Sequence, residues 1–250
     1  MQNIPVRTKL GRRIREGFTA SNGKLFISAD YSQFELRLAA VMSGDETMVK
    51  AFNDDEDIHV LTASQIAGIV LEDVTKDMRY KAKAVNFGIL YGQGVHGLAQ
   101  GTGMSFAESK SFIDRYYDVR PKLKAFMDSL REKAHSDGYV ETLFGRRRPT
   151  PDVKSSNFIV RSAAERAAIN MPIQGNAADL TKKAMIAVDE KLGDQATQLL
   201  QIHDSILLEC DEKTAENIAQ KLKQIMENIY PKLGVKLKVE VSIGKKWSDV

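Results

Sequence analysis

An apolar run that ends in a carboxylate, Leu25-Phe26-Ile27-Ser28-Ala29-Asp30, stands near one end of this 250-residue chain, and comparable strand signals return only after a long helix-rich stretch. This placement constrains the fold more than any other feature. A buried strand must find hydrogen-bonding neighbours, and the candidates are Tyr139 to Leu143, Gln198 to Ile202, Ile206 to Cys210 and Lys236 to Ile243. Between the first strand and these lie patterns that predict helices over Gln33 to Met42, Glu46 to Phe52, Ile58 to Ala67, Lys76 to Tyr91, Ser105 to Ser136 (bent near Pro121), Phe158 to Met171 and Asp179 to Leu192. A further helix is expected over Glu212 to Ile229. The order of strand, helical block, hairpin, helix and strand is an α+β plan. Because the flanking strands have to pair with each other, the block from about residue 45 to 130 is expected to be an insertion, dividing the chain into 1–44, 45–130 and 131–250.

Composition narrows the class. With 43% hydrophobic and 28% charged residues the chain is neither disordered nor low-complexity. One cysteine, Cys210, excludes a scaffold stapled by internal disulfides and favours a reducing, cytoplasmic setting. No apolar stretch is long enough for a membrane span. The net charge of +3 conceals an uneven distribution: Arg7, Lys9, Arg12, Arg13 and Arg15 run without an acid, Arg146-Arg147-Arg148 sit in a turn, and six acids between Asp45 and Asp57 face only Lys50. Each run taken singly reads as solvated surface; together they suit an enzyme that handles a polyanion.

Three segments carry chemistry. Asp30 ends a buried strand, the kind of fixed carboxylate that a hard cation requires, although taken alone the segment favours an Asp that caps the next helix. In Gln201-Ile202-His203-Asp204-Ser205-Ile206, polar groups interrupt two apolar strands, so Asp204 is expected at a hairpin tip, either as a plain turn residue or as a second carboxylate on the same cation. Arg79, Lys83, Phe87 and Tyr91 recur at intervals of four. Four residues advance an α-helix by roughly 400°, so these side chains form one stripe. Two cations followed by two aromatics read as a phosphate clamp leading into a stacking surface, against the plainer reading of a solvated end merging into a packed one. Gly88 and Gly92 leave room for a ligand or another backbone to approach.

The segments Asp30-Tyr31-Ser32-Gln33-Phe34-Glu35-Leu36-Arg37, Arg79 through Gly92, and Gln201-Ile202-His203-Asp204 resemble motifs A, B and C of family A DNA polymerases, the bacterial DNA polymerase I type, in the right order and spacing. The stretches Asn3 to Thr8, Asp57-Ile58-His59, Thr142 to Pro149 and Asn170 to Gly175 are also similar to signatures of that family, so the resemblance runs nearly end to end. It implies a palm with an antiparallel sheet and packed helices, and an inserted helical fingers subdomain. It also implies a template-directed DNA polymerase that transfers dNTPs onto a primer 3′-hydroxyl with two Mg²⁺ ions, for which Mn²⁺ can substitute. By resemblance, Asp30, Asp204 and the backbone carbonyl of Tyr31 hold the metals. Arg79, Lys83 and His59 meet the triphosphate, with Lys83 also counted as catalytic. Phe87 stacks near the base, Tyr91 occupies the templating position of an empty site, and Gln33 and Glu35 belong to the nucleotide site, with Glu35 as steric gate. Arg7, Asn170, Gln174, His203, Arg146 and Arg147 contact DNA. Primer-template DNA and dNTPs are the implied partners, without a membrane, and the implied location is the nucleoid.

This sequence departs from the family pattern in three respects. Ser205 follows Asp204 where motif C usually has Glu, and Phe34 stands where Ile is common. No thumb precedes Met1, so the chain is expected to be a fragment or a split subunit whose partner supplies that part. The alternative to an active polymerase is a weak or inactive palm-fingers remnant that binds nucleic acid or a partner; a metal-dependent nuclease would leave the Arg79 to Tyr91 stripe without a purpose.

Overall fold

In the computed structural model of the chain, residue 4 and residues 8–250 are described. The fold is mixed, with helices and an antiparallel sheet. In chain order the elements are α1 (Lys9–Glu16), β1 (Lys24–Tyr31), α2 (Phe34–Ser43), α3 (Glu46–Asn53), α4 (Ile58–Ala67), α5 (Lys76–Leu90), α6 (Val95–Thr102), α7 (Phe106–Val119) and α8 (Pro121–Ser136). There follow β2 (Tyr139–Glu141), β3 (Arg147–Pro149), α9 (Phe158–Leu192), β4 (Ala196–Ile202), β5 (Ser205–Asp211), α10 (Ala215–Glu227) and β6 (Val239–Gly244). Two compact units result. One comprises Met1–Phe34, Ala177–Lys232 and Leu237–Val250; the other comprises Glu35–Asn176 and Leu233–Lys236.

The first unit is built on a four-stranded sheet in the order β4-β5-β1-β6, with β1 antiparallel to both neighbours. Side chains alternate across a strand, so β1 offers Ile27, Ala29 and Tyr31 to one face and Phe26, Ser28 and Asp30 to the other. The first face is covered by α10, whose Ile218, Ala219, Leu222 and Met226 are buried, and Tyr31 donates its hydroxyl to the Met226 carbonyl at 2.8 Å. On the second face Phe26 and Leu207 pack with Ala20 and Trp247 at one end, leaving the other end polar.

The second unit is mainly helical. Local chemistry sets its boundaries: Asp57 caps α4 by accepting from the His59 and Val60 amides, and Gly68 closes it at φ 68°. Thr75 caps α5, Ser105 and Glu108 form a capping box on α7, and Pro121 occupies the first turn of α8, so the expected bend is a break between two helices.

The structure corrects several expectations. The two helices expected at Phe158 to Met171 and Asp179 to Leu192 are one helix, with Pro172 inside it. An interior proline costs about 3 kcal/mol. The buried row Ile169, Ile173, Leu180, Val188 and Leu192 outweighs that cost, since each buried aliphatic contributes about 1.5–3 kcal/mol. Helix α6 was not expected because Gly97 and Gly101 lower its propensity, and α1 was hidden by its cations. The strand predicted over Tyr139 to Leu143 stops at Glu141, where the chain turns to pair with Arg147–Pro149.

Candidate active site

In the first unit, the register of the sheet assembles a set of carboxylates. Asp30 lies within β1, directly opposite Ser205 on β5 and Glu240 on β6. It is therefore a strand residue and not the cap of α2. Asp204 occupies the two-residue tip between β4 and β5 with His203, and its carbonyl accepts from the Tyr31 amide at 3.4 Å. Asp30, Asp204, Ser205 and Glu240 line a cleft of about 440 Å³, which Ser28, Ser242 and Arg15 also border. His203 (φ 54°) and Gln33 (φ 53°) both hold left-handed backbone conformations that non-glycine residues avoid. Strain of this kind costs about 1–3 kcal/mol per residue and is kept where neighbouring groups need fixed positions.

The charges in this cleft are compensated only in part: His203 draws both aspartate carboxyls down, and burial outweighs it. Asp30 reaches solvent, yet desolvation by the cleft walls and the charges of Asp204 and Glu240 push its carboxyl up to about 6. Desolvation also raises Asp204. Among the described residues no three His, Cys, Asp or Glu side chains converge as a ready-made metal cage. The donors present, the carboxylates of Asp30 and Asp204, match a cation such as Mg²⁺ that takes one or two carboxylates and completes its shell with water and phosphate oxygens. The excess negative charge is of the sign and size that such an ion relieves.

In the second unit, α5 buries Ala82, Val85, Asn86, Ile89 and Leu90 on one face. The flank beside that face carries the stripe found in the sequence: Arg79 and Phe87 are half-buried, and Lys83 and Tyr91 are exposed. The Phe87 ring lies 5.8 Å from that of the buried His59, whereas Tyr91 is open to solvent. Arg79 donates from Nε to Asp57 Oδ2 at 2.8 Å. Burial raises the Asp57 carboxyl, but Arg79 and the backbone amides of Val60 and His59 outweigh it and hold the group below its usual value. Tyr91 donates its hydroxyl to Glu35 Oε2 at 2.6 Å, which joins the expected templating residue to the expected gate.

His59, expected at the triphosphate, is buried. It is 1% exposed, and its Nδ1 lies 3.0 Å from Asn86 Nδ2, which donates to it. Desolvation, followed by the neighbouring Arg79 and Lys83 charges, pushes its ring down to about 4 against the opposing pull of Asp57. A neutral ring that accepts at Nδ1 has only Nε2–H left to offer a ligand. Asn86 also shares a buried hydrogen bond with Thr62. The room beside the two glycines is taken by side chains: a Cβ on Gly88 would lie 2.2 Å from Gln93 Oε1, and one on Gly92 2.6 Å from Arg166 Cγ.

The residues expected to contact DNA belong to both units. Gln174 and Arg146 are exposed, and Asn170 donates to the Leu90 carbonyl at 3.0 Å, closing the C-terminal end of α5. Arg147 stacks over Tyr139 and donates to Glu141 at 3.1 Å. His203 is exposed at the hairpin tip, and Arg7 lies outside the described residues. Sequence reasoning missed Asn86, Asp57 as partner of Arg79, and Glu240. The alternating polar positions Lys238, Glu240 and Ser242 in a predicted strand were the signal for the last.

Comparison with known proteins places the chain in a family. The model of DNA polymerase family A matches residues 1–249. The chain is 48% identical over 248 residues to the thermostable DNA polymerase I of Thermus aquaticus, covering 99% of this chain and 30% of that protein. It is 44% identical over 252 residues to DNA polymerase I of Pseudomonas aeruginosa, covering 100% of this chain and 28% of that protein. Among solved structures, the POL domain of Pol1 from M. smegmatis, in complex with DNA primer-template and dNTP, superposes with a TM-score of 0.91 at 41% identity, covering 100% of this chain and 44% of that one. The chain therefore spans under a third of the length of these curated relatives, and across that span it belongs to DNA polymerase family A.

Proposed function

We propose that this chain carries the nucleotidyl-transfer centre of a template-directed DNA polymerase, adding dNTPs to a primer 3′-hydroxyl with release of pyrophosphate. The observation that supports this most is the β1–β5 pairing, which brings Asp30 and Asp204 from opposite ends of the sequence into one cleft. In this reading Asp30, Asp204 and the Tyr31 carbonyl hold two divalent cations, Mg²⁺ or Mn²⁺. When bound, such ions lower the pKa of the attacking hydroxyl and offset charge on the triphosphate.

The protein's own groups do the rest. Lys83 and Arg79 bind the triphosphate oxygens, and the Asp57 carboxylate holds Arg79 by its Nε while leaving other guanidinium donors to turn outward. Lys83 offsets charge on the departing pyrophosphate. His59, neutral, donates from Nε2. Phe87 stacks on the incoming base or sugar, and Glu35, fixed by the Tyr91 hydroxyl, crowds the 2′ position so that ribonucleotides are disfavoured. Movement of Tyr91 off the template position breaks that hydrogen bond, so gate and template position are coupled. Asn170, Gln174, His203, Arg146, Arg147 and Arg7 contact primer-template DNA, and donors in the minor groove sense pair geometry without reading sequence. By role, residues 1–44 and 131–250 serve as palm and 45–130 as fingers.

Primer extension with Mg²⁺ tests the proposal. Template-matched incorporation by the chain, lost in Asp30→Asn and Asp204→Asn, supports it. Incorporation that persists in both variants rejects it.

A further inference from the structure

We infer that Glu240 is a positioning residue of the carboxylate cleft, adding negative charge beside Asp30 so that the pair holds a divalent cation more tightly than Asp30 and Asp204 alone. The inference rests on the metal reading above and concerns a residue outside the three sequence motifs. Residues directly opposite in an antiparallel pair have Cβ atoms about 4.5–5.5 Å apart on the same face of the sheet. Asp30 has two such neighbours, Ser205 on β5 and Glu240 on β6, so an acid flanks it on one side only. Both acids line the same cleft, which Arg15 and His203 also border.

A simpler reading makes Glu240 an ordinary charge on the edge strand β6, where charged side chains discourage unwanted strand pairing. A lysine would serve that purpose equally and would attract Asp30. A glutamate there opposes a like charge, which destabilises the sheet. An acid at this position becomes favourable only when a cation occupies the cleft. Because no three acids among the described residues converge as direct ligands, Glu240 acts through its charge or through metal-bound water.

Two readouts that do not depend on catalysis test this. Mn²⁺ is titrated into the chain and followed by the electron paramagnetic resonance of the free ion, and thermal unfolding is measured in EDTA. Glu240→Gln is expected to weaken Mn²⁺ binding about five- to tenfold, the effect of removing one unit charge beside a divalent ion at a wet surface. The same variant is expected to raise the metal-free Tm. Glu240→Lys deepens both effects, and Ser242→Ala, on the same face, changes neither. Unchanged Mn²⁺ affinity in Glu240→Gln, or a lowered metal-free Tm, overturns the inference while leaving Asp30 as a ligand. Mn²⁺ binding unaffected by Asp30→Asn overturns the metal reading itself and this inference with it.

Discussion

The carboxylate cleft makes a thermodynamic prediction for the substitution Asp30→Asn. Burial, followed by Asp204 and Glu240, raises the Asp30 carboxyl from 3.8 to about 6. The folded protein thus holds this proton more tightly than the unfolded chain does. Asp30 contributes stability that is fully present below pH 4 and is lost as pH rises through about 6. A shift of this size corresponds to about 3 kcal/mol for a fully enclosed group. Solvent reaches Asp30, so screening reduces the effect to roughly 1–2 kcal/mol. Asn is nearly isosteric and does not ionise. In EDTA at pH 8, urea unfolding should therefore find Asp30→Asn more stable than the parent by roughly 1–2 kcal/mol, with the gain fading by about pH 4. Divalent cation should reverse the order, because it binds the folded parent and not the variant. Equal stability at pH 8, or a gain that does not change with pH, would refute the claim that Asp30 is held in a site deficient in positive charge.

Other perturbations follow from particular contacts. Asn86→Ala strips the buried His59 Nδ1 and Thr62 hydroxyl of a partner and opens a small void, so urea unfolding should show a loss of about 2–4 kcal/mol. Gly92→Ala places a Cβ at φ 66° and 2.6 Å from Arg166 Cγ, and the same assay should register at least about 1 kcal/mol of destabilisation. Lys83→Ala removes a charge-assisted phosphate contact and is expected to weaken dNTP use in steady-state kinetics by about 10- to 100-fold. Ser205→Glu is expected to change the extension rate by less than about tenfold, since Asp30 already has Asp204 and Glu240 beside it; a gain of orders of magnitude would contradict this.

The sequence revealed what short-range periodicity encodes. The Arg79 to Tyr91 stripe rests on helical geometry alone; in the structure Lys83 and Tyr91 are exposed while Arg79 and Phe87 are half-buried. The strand ending at Asp30 and the hairpin tip at Asp204 were legible from apolar runs interrupted by polar residues. Long-range effects were hidden. Pro172 sits in a continuous helix because a buried row of aliphatics outweighs its local cost, and no local rule reports that row's partners. His59 carried a family role as a phosphate contact, but its burial against Asn86 makes it neutral, which depends on a neighbour on another helix. Glu240 escaped notice because its significance lies in strand register, and a register cannot be read from either strand alone.

In the proposed function Asp30 and Asp204 form a catalytic metal site for templated nucleotide addition. Single-nucleotide primer extension with Mg²⁺, using all four template bases and comparing the parent chain with Asp30→Asn, tests it most directly. The parent should incorporate the matched dNTP, with a fall of at least about 10³-fold in the variant, the scale of losing a catalytic metal contact. Incorporation that ignores the template base, or that proceeds equally in Asp30→Asn, would contradict it.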